Sequence, residues 1–487
     1  MAGSNCQKWT LICRNRSRNL RILFRLLFGL GFIVLCVFIS SYSGTLSNKL
    51  RGVYFADNQG KIVSDGDHST LHKRSPFIRE RSQNKADNDV SPKSSHADDV
   101  TSGETFQQIN QQQAWVYSAY IDVVNAKISL IRIFAIISLS LTQQAYCLVE
   151  EGGRVTVIKG VYRPLFDHRS MRFYSGNFEC NLQPHKKPDY VAVTFNTTQQ
   201  PNNRLRVVYP GSILRNFTVC HPALFNFKNP GQIIQAIEFN RILGAEHFFV
   251  YNYTISKATD AVLRHYQDLG LLTVLQWPLP TTEIWYYAQM AAVNDCVYRN
   301  RNVSRYVAIQ DTDEFIIPKR HNSWNDVIRS IEANHSRSQN SNGNLTAAEK
   351  KEIGSFIFEC TFFYNITPPS FWAEVKKNFS ITNEVEGFLK KYSVIPFLHV
   401  QRLNKTFTLR SRTKTIVRPE LIVQAGIHGT FYHKPGAEYT LVKSDLALVH
   451  HYNKIAKSGL YETSALRFTH QVYPRLKSAF ANLSAVF

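Results

Sequence analysis

Three acids fall within four positions of the segment YVAIQDTDEFIIP, Tyr306–Pro318: Asp311, Asp313 and Glu314. Apolar residues lead into them and resume after them, and a proline ends the run. On an extended backbone, residues two apart point the same way. Asp311 and Asp313 are therefore expected to share a target, with Thr312 turned to the other side. Two carboxylates on one side of a half-buried site repel unless a cation neutralises them. Oxygen ligands suit a hard ion, Mn²⁺ or Mg²⁺, held partly by protein carboxylates and partly by substrate phosphates. The plain alternative is a pair of acids that meets surface arginines or caps a turn. A glycosidase dyad is excluded, because its carboxyls stand about 5 Å or more apart on opposing walls. A phosphatase with an aspartyl nucleophile also begins with D-x-D at a strand end, but continues with a small or β-branched residue rather than Glu-Phe.

The elements that must hold these acids alternate from residue 216 onward. NPGQIIQAIEFNRILG (229–244) reads as a helix stopped by Gly244, and HFFVYNY (247–253) as a strand. TDAVLRHYQDLG (259–270) is a second helix and LLTVLQW a strand. TTEIWYYAQMAAVNDCVYRN (281–300) is a longer helix, followed by the strand RYVAIQD. Strands alternating with helices of this length predict an α/β domain with a mainly parallel sheet. Ligands of such sheets bind beyond the carboxyl ends of the strands. Upstream, residues 113–215 read as a small β-rich unit of short strands and loops. The run ISLIRIFAIISLSL (128–141) is too short for a membrane span, and Arg132 interrupts it, so it reads as a buried strand.

The N-terminus carries different signals. Residues 1–25 contain Lys8, Arg14, Arg16, Arg18, Arg21 and Arg25 and no acid. The uncharged run LLFGLGFIVLCVFISSY (26–42) follows, and Ile22–Phe24 extend it if Arg25 reaches the headgroups. This predicts a cytosolic tail (1–25), one transmembrane anchor (22–42) and a luminal body. A cleaved signal peptide fits less well, since no small-x-small site closes the apolar run. Residues 43–112 are polar and aperiodic, as in a flexible stem. Glycosylation sequons at Asn196, Asn216, Asn252, Asn302, Asn334, Asn344, Asn365, Asn378, Asn404 and Asn482 permit a secretory protein. Cys147, Cys180, Cys220, Cys296 and Cys360 form an odd set, so some pair and at least one stays free or pairs between chains. The formal charge of +21 is scattered over 487 residues, with no basic block, zinc-finger spacing or RNA-binding signature. Nucleic acid is therefore not an expected partner.

From about Trp115 to Tyr452 the chain resembles glycosyltransferase family 92, a set of type II membrane enzymes with a GT-A type fold. The segments VCHPALF, EFNRILGAEHFFVYN, YAQMAAVNDCVYR and YVAIQDTDEFIIP carry the resemblance in order, as do RTKTIVRPELIVQAGIHGTF and ALVHHYN. The resemblance implies a GT-A catalytic domain over 216–487. It implies transfer of a sugar, most often galactose, from a UDP-sugar donor to a glycan hydroxyl with inversion, in the Golgi membrane with the catalytic domain luminal. Mn²⁺ (or Mg²⁺) at Asp311 and Asp313 would bridge the donor diphosphate, with Asp311 also near the ribose and Glu314 only orienting the pair. The third ligand is expected to be His428, with His451 and His450 as alternatives. Tyr251 and Asn252 are expected at uracil and ribose, and Gln289 and Asp295 at the donor pocket. Asn294 matches the family pattern as well. Lys414 is expected at the diphosphate; the competing reading is core packing for Tyr251, a helix-surface ion pair with Arg299 for Asp295, and a surface lysine for Lys414. The base that takes the acceptor proton is not identified; Glu374, Glu384 and Glu386 are the candidates. The exposed insertion 334–352 is given no chemistry. Two alternatives stand beside this reading: a catalytically inactive glycan-binding member, and a luminal metal-dependent phosphatase.

Overall fold

The computed structural model describes residues 105–487, except 126, 167, 168, 184, 342–345, 347, 348, 365, 366 and 453–458. The expected tail, anchor and the stem up to residue 104 lie outside the described residues, as do the sequons at Asn344 and Asn365. Among the described residues no helix is long and apolar enough to cross a membrane.

The first sheet contains β1 (Gln107–Gln108), β2 (Ala114–Asn125), β3 (Ile128–Ser138), β4 (Ala145–Glu151), β5 (Arg154–Pro164), β6 (Phe173–Leu182), β7 (Tyr190–Thr194) and β8 (Leu205–Val208). Its order is β1-β2-β3-β6-β5-β4-β7-β8, and β8 also pairs with β2, so the sheet closes into a barrel. Closure explains the odd composition of β3. Ile131, Ile133, Ala135 and Ile137 point inward and fill the barrel with Val116, Phe178 and Val193. Phe134 and Ile136 point outward into other buried clusters. A strand covered on both faces reads as one long apolar run. Arg132 sits on the outward face, where it is bonded to Asp122 at 2.6 Å. The disulfide Cys147–Cys180 lies among the residues that fill the barrel.

The second sheet is built from β9 (Arg215–Leu224), β10 (His247–Asn252), β11 (Leu272–Gln276) and β12 (Ser304–Ile309), joined by helices α1 (Pro230–Leu243), α2 (Lys257–Asp268) and α3 (Gln289–Arg299). Further along lie β13 (Glu314–Pro318), β14 (Glu352–Phe358), β15 (Cys360–Phe362), β16 (Gln401–Arg402), β17 (Lys414–Val417), β18 (Ile422–Gly426), β19 (Gly429–His433), β20 (Ala437–Val442), β21 (Ala447–His451) and β22 (Leu460–Tyr461). The order of the main sheet is β11-β10-β9-β12-β17-β14-β20. The sheet is mixed: β9 to β12 pair in parallel, while β17 runs antiparallel to both neighbours. The strand β13 leaves it and joins β21 and β15 in a small separate sheet. The later helices are α4 (Trp324–Ser341), α5 (Pro369–Asn378), α6 (Asn383–Lys391), α7 (Ile395–Leu398) and α8 (Thr469–Asn482). The first part of the expected insertion, up to Ser341, therefore closes α4.

Two local differences from the sequence reading bear on the site. The helix expected over 281–300 begins only at Gln289, after a tight turn, Trp285–Ala288, in which Tyr286, Tyr287 and Ala288 have φ of 44°, 56° and 58°. Tertiary packing of Tyr287 overrides a helical pattern here. The segment Tyr306–Pro318 is not one strand either. Residues 310–313 form a turn in which the Glu314 amide donates to the Asp311 carbonyl.

Barrel and sheet are joined by buried charge. Asp122 on β2 meets Arg132 at 2.6 Å, Arg301 at 2.5 Å and Lys434 at 3.1 Å. Arg301 also donates to the carbonyls of Pro419 and Ile422. Burial alone would raise the Asp122 carboxyl, but Arg301, Arg132 and Lys434 outweigh it and hold it well below the usual carboxylate range. The bond therefore stabilises the fold fully above about pH 4 and is lost as pH falls through the depressed folded-state value. Removing one partner of a buried pair costs about 3–5 kcal/mol. Asp122→Ala is expected to lower urea-unfolding stability by that amount at neutral pH, and by less as the pH is taken below about 4. Equal loss at every pH would show that the charge of Asp122 is not what joins the two sheets.

Candidate active site

The chain order of the main sheet sets the position of the site. β10 and β11 add to one side of β9, and β12 then returns to its other side. A crevice opens at such a reversal, beyond the carboxyl ends of the two diverging strands. Those ends are Leu224–Phe225 on β9 and Gln310–Asp313 after β12. His221 bonds the Gln310 carbonyl through Nδ1 at 2.9 Å and pins one end to the other.

The acid turn is clamped from several directions. Thr312 faces away from the acids, as expected, and accepts from Gln232 Nε2 on α1 at 2.7 Å. The Asp313 carbonyl accepts from the Tyr452 amide at 3.0 Å. The antiparallel register of β13 on β21 sets Glu314 opposite His451. Lys414, first residue of β17, reaches both Asp311 and Glu314 at 2.8 Å. His451 lies 3.1 Å from Glu314 through Nδ1 and 3.6 Å from Asp313 through Nε2.

The three acids differ in burial, and so in role. Asp311 and Asp313 keep 40% and 23% of their side-chain surface, while Glu314 keeps 2% and Lys414 1%. Glu314 is thus the inner acid, between a lysine and a histidine, not a minor member of the group. Burial and the Asp311 carboxylate push its carboxyl up to about 7, against the pull of Lys414. Burial opposes the charge of Lys414, yet Asp311 and Glu314 hold it protonated far above its ordinary value. Burial also works against charge on Asp311, but Lys414 prevails and keeps that carboxyl low. His451 is raised: burial lowers it, and Asp313 and Glu314 more than compensate.

This geometry corrects several expectations. Lys414 is not free to meet a diphosphate, because its ammonium is buried against two carboxylates. The histidine placed against Asp313 is His451, the second choice from sequence. His428, in the turn between β18 and β19, donates from Nδ1 to the Thr413 carbonyl at 3.1 Å; among the described residues it forms no ion pair with an acid, although the Asp311 carboxylate is near enough to act on it. Burial and Lys414 bring it down to about 4, so it is neutral at physiological pH. His450 points to the opposite face of β21, stacked on Phe363 and bonded to Tyr452.

Tyr251 and Asp295 are brought together, but in the interior. Both are fully buried, and the Tyr251 hydroxyl donates to Asp295 at 2.6 Å. Asp295 also accepts from Ser118 and Tyr120 on β2 and pairs with Arg299 at 2.7 Å. The i,i+4 pair on α3 is therefore real, and it faces the barrel instead of a ligand. Asn294 is likewise structural, bonded to the Ala425 backbone through both ends of its amide. Gln289 is nearly buried at the first residue of α3, and Asn252 is half-buried at the end of β10, 3.4 Å from Gln276. The suggested bases stand apart from the acids. Glu384 pairs with Lys477, Glu386 with Lys376 and Lys390, and Glu374 lies on the exposed face of α5.

Among the described residues no three His, Cys, Asp or Glu side chains form a metal cage. Asp313 and His451, with the partly exposed Asp311 beside them, nevertheless fit a hard divalent ion whose shell is completed by phosphate and water. Such ions take few protein ligands where a nucleotide supplies the rest.

The acids stand at the reversal point of an α/β sheet, where sheets of this kind bind their ligands. The sequence profile of glycosyltransferase family 92 matches residues 215–479, and the chain belongs to that family. It is 27% identical over 232 residues to beta-1,4-galactosyltransferase galt-1 of Caenorhabditis elegans, covering 46% of this chain and 45% of that one. It is 27% identical over 143 residues to galactan beta-1,4-galactosyltransferase GALS2 of Arabidopsis thaliana, covering 28% of each chain. The matches thus span less than half of these relatives. Among solved structures, glucosyl-3-phosphoglycerate synthase from Mycobacterium tuberculosis, in complex with Mn²⁺, UDP-glucose and phosphoglyceric acid, is 12% identical over 55% of this chain and 80% of its own. The TM-score is 0.23, too slight a likeness to place any residue.

Burial makes Asp295 a stability residue. Asp295→Ala is expected to cost about 3–5 kcal/mol in urea unfolding, since it strands Arg299 and three hydroxyls. Tyr251→Phe removes one bond and is expected to cost about 1 kcal/mol. A stable Tyr251→Phe protein with abolished nucleotide binding would restore the donor-contact reading.

Proposed function

We propose that this protein is a metal-dependent glycosyltransferase of GT-A type. It transfers a sugar, galactose by the names of its relatives, from a UDP donor to a glycan hydroxyl with inversion. The observation that carries this reading is the convergence of Asp313 and His451 at the reversal point of the sheet, with Asp311 beside them. Family membership and the galactosyltransferase names of two relatives support it. Attachment to the Golgi membrane by residues 22–42, with a luminal body, belongs to the same proposal and rests on sequence.

In this reading Asp311, Asp313 and His451 hold the divalent ion. When bound, it supplies Lewis-acid neutralisation of the charge that grows on the leaving diphosphate. The protein's own part is preorganisation. Lys414 takes one Asp311 oxygen, which sets the direction of the carboxylate before any ligand arrives. Glu314 holds Lys414 on one side and the His451 ring on the other. Because Glu314 is buried, water does not compete for these contacts, and the outer pair is fixed at no cost when the donor binds.

The test is release of UDP from UDP-galactose by the purified chain, with Mn²⁺ and with EDTA. Asp313→Ala and His451→Ala are expected to fold as wild type and to lose activity at least about 100-fold, as removal of a positioned charge-stabilising group does. His428→Ala is expected to lose less. Persistent activity in Asp313→Ala rejects the metal role, and metal-dependent phosphate release from a monoester, without UDP release from UDP-galactose, would favour a phosphatase instead.

A further inference from the structure

The turn before α3 is strained without any local reason. Tyr286, Tyr287 and Ala288 are all left-handed. Non-glycine residues held there cost about 1–3 kcal/mol each and persist only where the surroundings impose them. Here the imposition is visible. The Tyr287 carbonyl accepts from Trp277 Nε1 at 3.0 Å. The Tyr287 ring stacks on Phe225 with centroids 3.8 Å apart and leans on Tyr253 at 5.5 Å. The Phe173 amide donates to the Glu283 carbonyl and holds the approach to the turn. Packing Tyr287 in this way leaves the neighbouring side chain turned outward.

That neighbour is Tyr286. Half of its surface is exposed, and its ring meets Phe225 edge-on at 6.0 Å. Phe225 directly follows β9, at the carboxyl end of the strand that pairs with β12, which leads to Asp311 and Asp313. The Tyr286 hydroxyl makes no hydrogen bond to another described residue. Burial raises its pKa, and the nearby Asp311, Asp313 and Glu314 carboxylates add to the effect. The hydroxyl therefore stays a hydrogen-bond donor, near enough to those carboxylates and to Lys414 to feel their charge. A residue that served only the core would not need a left-handed turn, itself included, to leave its polar end unpaired.

We propose that Tyr286 is a donor-contacting residue, whose hydroxyl bonds the phosphate oxygens of a nucleotide held beside Asp311 and Asp313. This rests on the glycosyltransferase reading above. It adds a residue that no helical pattern over 281–300 would place at the site.

The experiment is titration of UDP into the purified full-length chain with Mn²⁺, for wild type, Tyr286→Phe and Tyr286→Ala, with melting temperatures in parallel. Loss of one hydrogen bond corresponds to about three- to tenfold weaker binding. Tyr286→Phe is expected to weaken UDP by that factor with an unchanged melting temperature, and Tyr286→Ala to weaken it further. If wild type binds UDP and Tyr286→Phe binds it equally well, the inference fails while the transferase reading stands. If Tyr286→Ala proves unstable, Tyr286→Phe, which keeps the ring, decides. If wild type binds no UDP with Mn²⁺, both the inference and the reading it rests on fall.

Discussion

The site depends on one buried carboxylate. Glu314 touches the Lys414 ammonium on β17 and the His451 ring on β21, and accepts from the Asp311 amide at 3.1 Å. A single side chain thus ties together the acid turn, the antiparallel strand of the main sheet and the small sheet beside it. Desolvating a carboxylate is costly unless its partners are close and fixed. That cost makes the arrangement specific, because only the observed register of β13 on β21 sets Glu314 opposite His451. Asp311 and Asp313 are the residues open to a ligand, and their directions follow from the inner acid.

The same logic recurs at a larger scale. The barrel meets the main sheet through Asp122 and Asp295, both fully buried and both paired across the junction. Apolar packing of Tyr120, Phe134 and Tyr298 surrounds them. The disulfide Cys220–Cys296 ties α3 to β9, the strand that forms one lip of the crevice. Cys360 remains without a disulfide partner among the described residues, buried at the first residue of β15. The barrel therefore acts on the site indirectly, by fixing α3 and the turn before it.

What could be read without coordinates follows from short-range physics. The helix Pro230–Leu243 with its Gly244 stop and the strands at His247 and Leu272 express periodicity and capping. These are properties of neighbouring residues. The family was also legible, because its motifs occur in order along the chain. The barrel's β3 was recognisable as a buried strand from length and Arg132 alone.

Contacts between distant residues decided the rest. Nothing near Lys414 says that Asp311 and Glu314 will neutralise it from 103 and 100 positions away. Alternation separates His450 from His451, but only the pairing of β13 with β21 shows which of the two meets the acids. Tyr251 and Asp295 have residue types suited to a ligand, and burial against β2 gave them to the core. Tyr286 sits in a stretch whose apolar spacing is helical, and the packing of Tyr287 on Phe225 broke the helix. The sequence determined the elements and which chemistry-bearing residues were available. Tertiary structure determined which of them keep solvent access, because desolvation is a property of the assembled surroundings and not of the local chain.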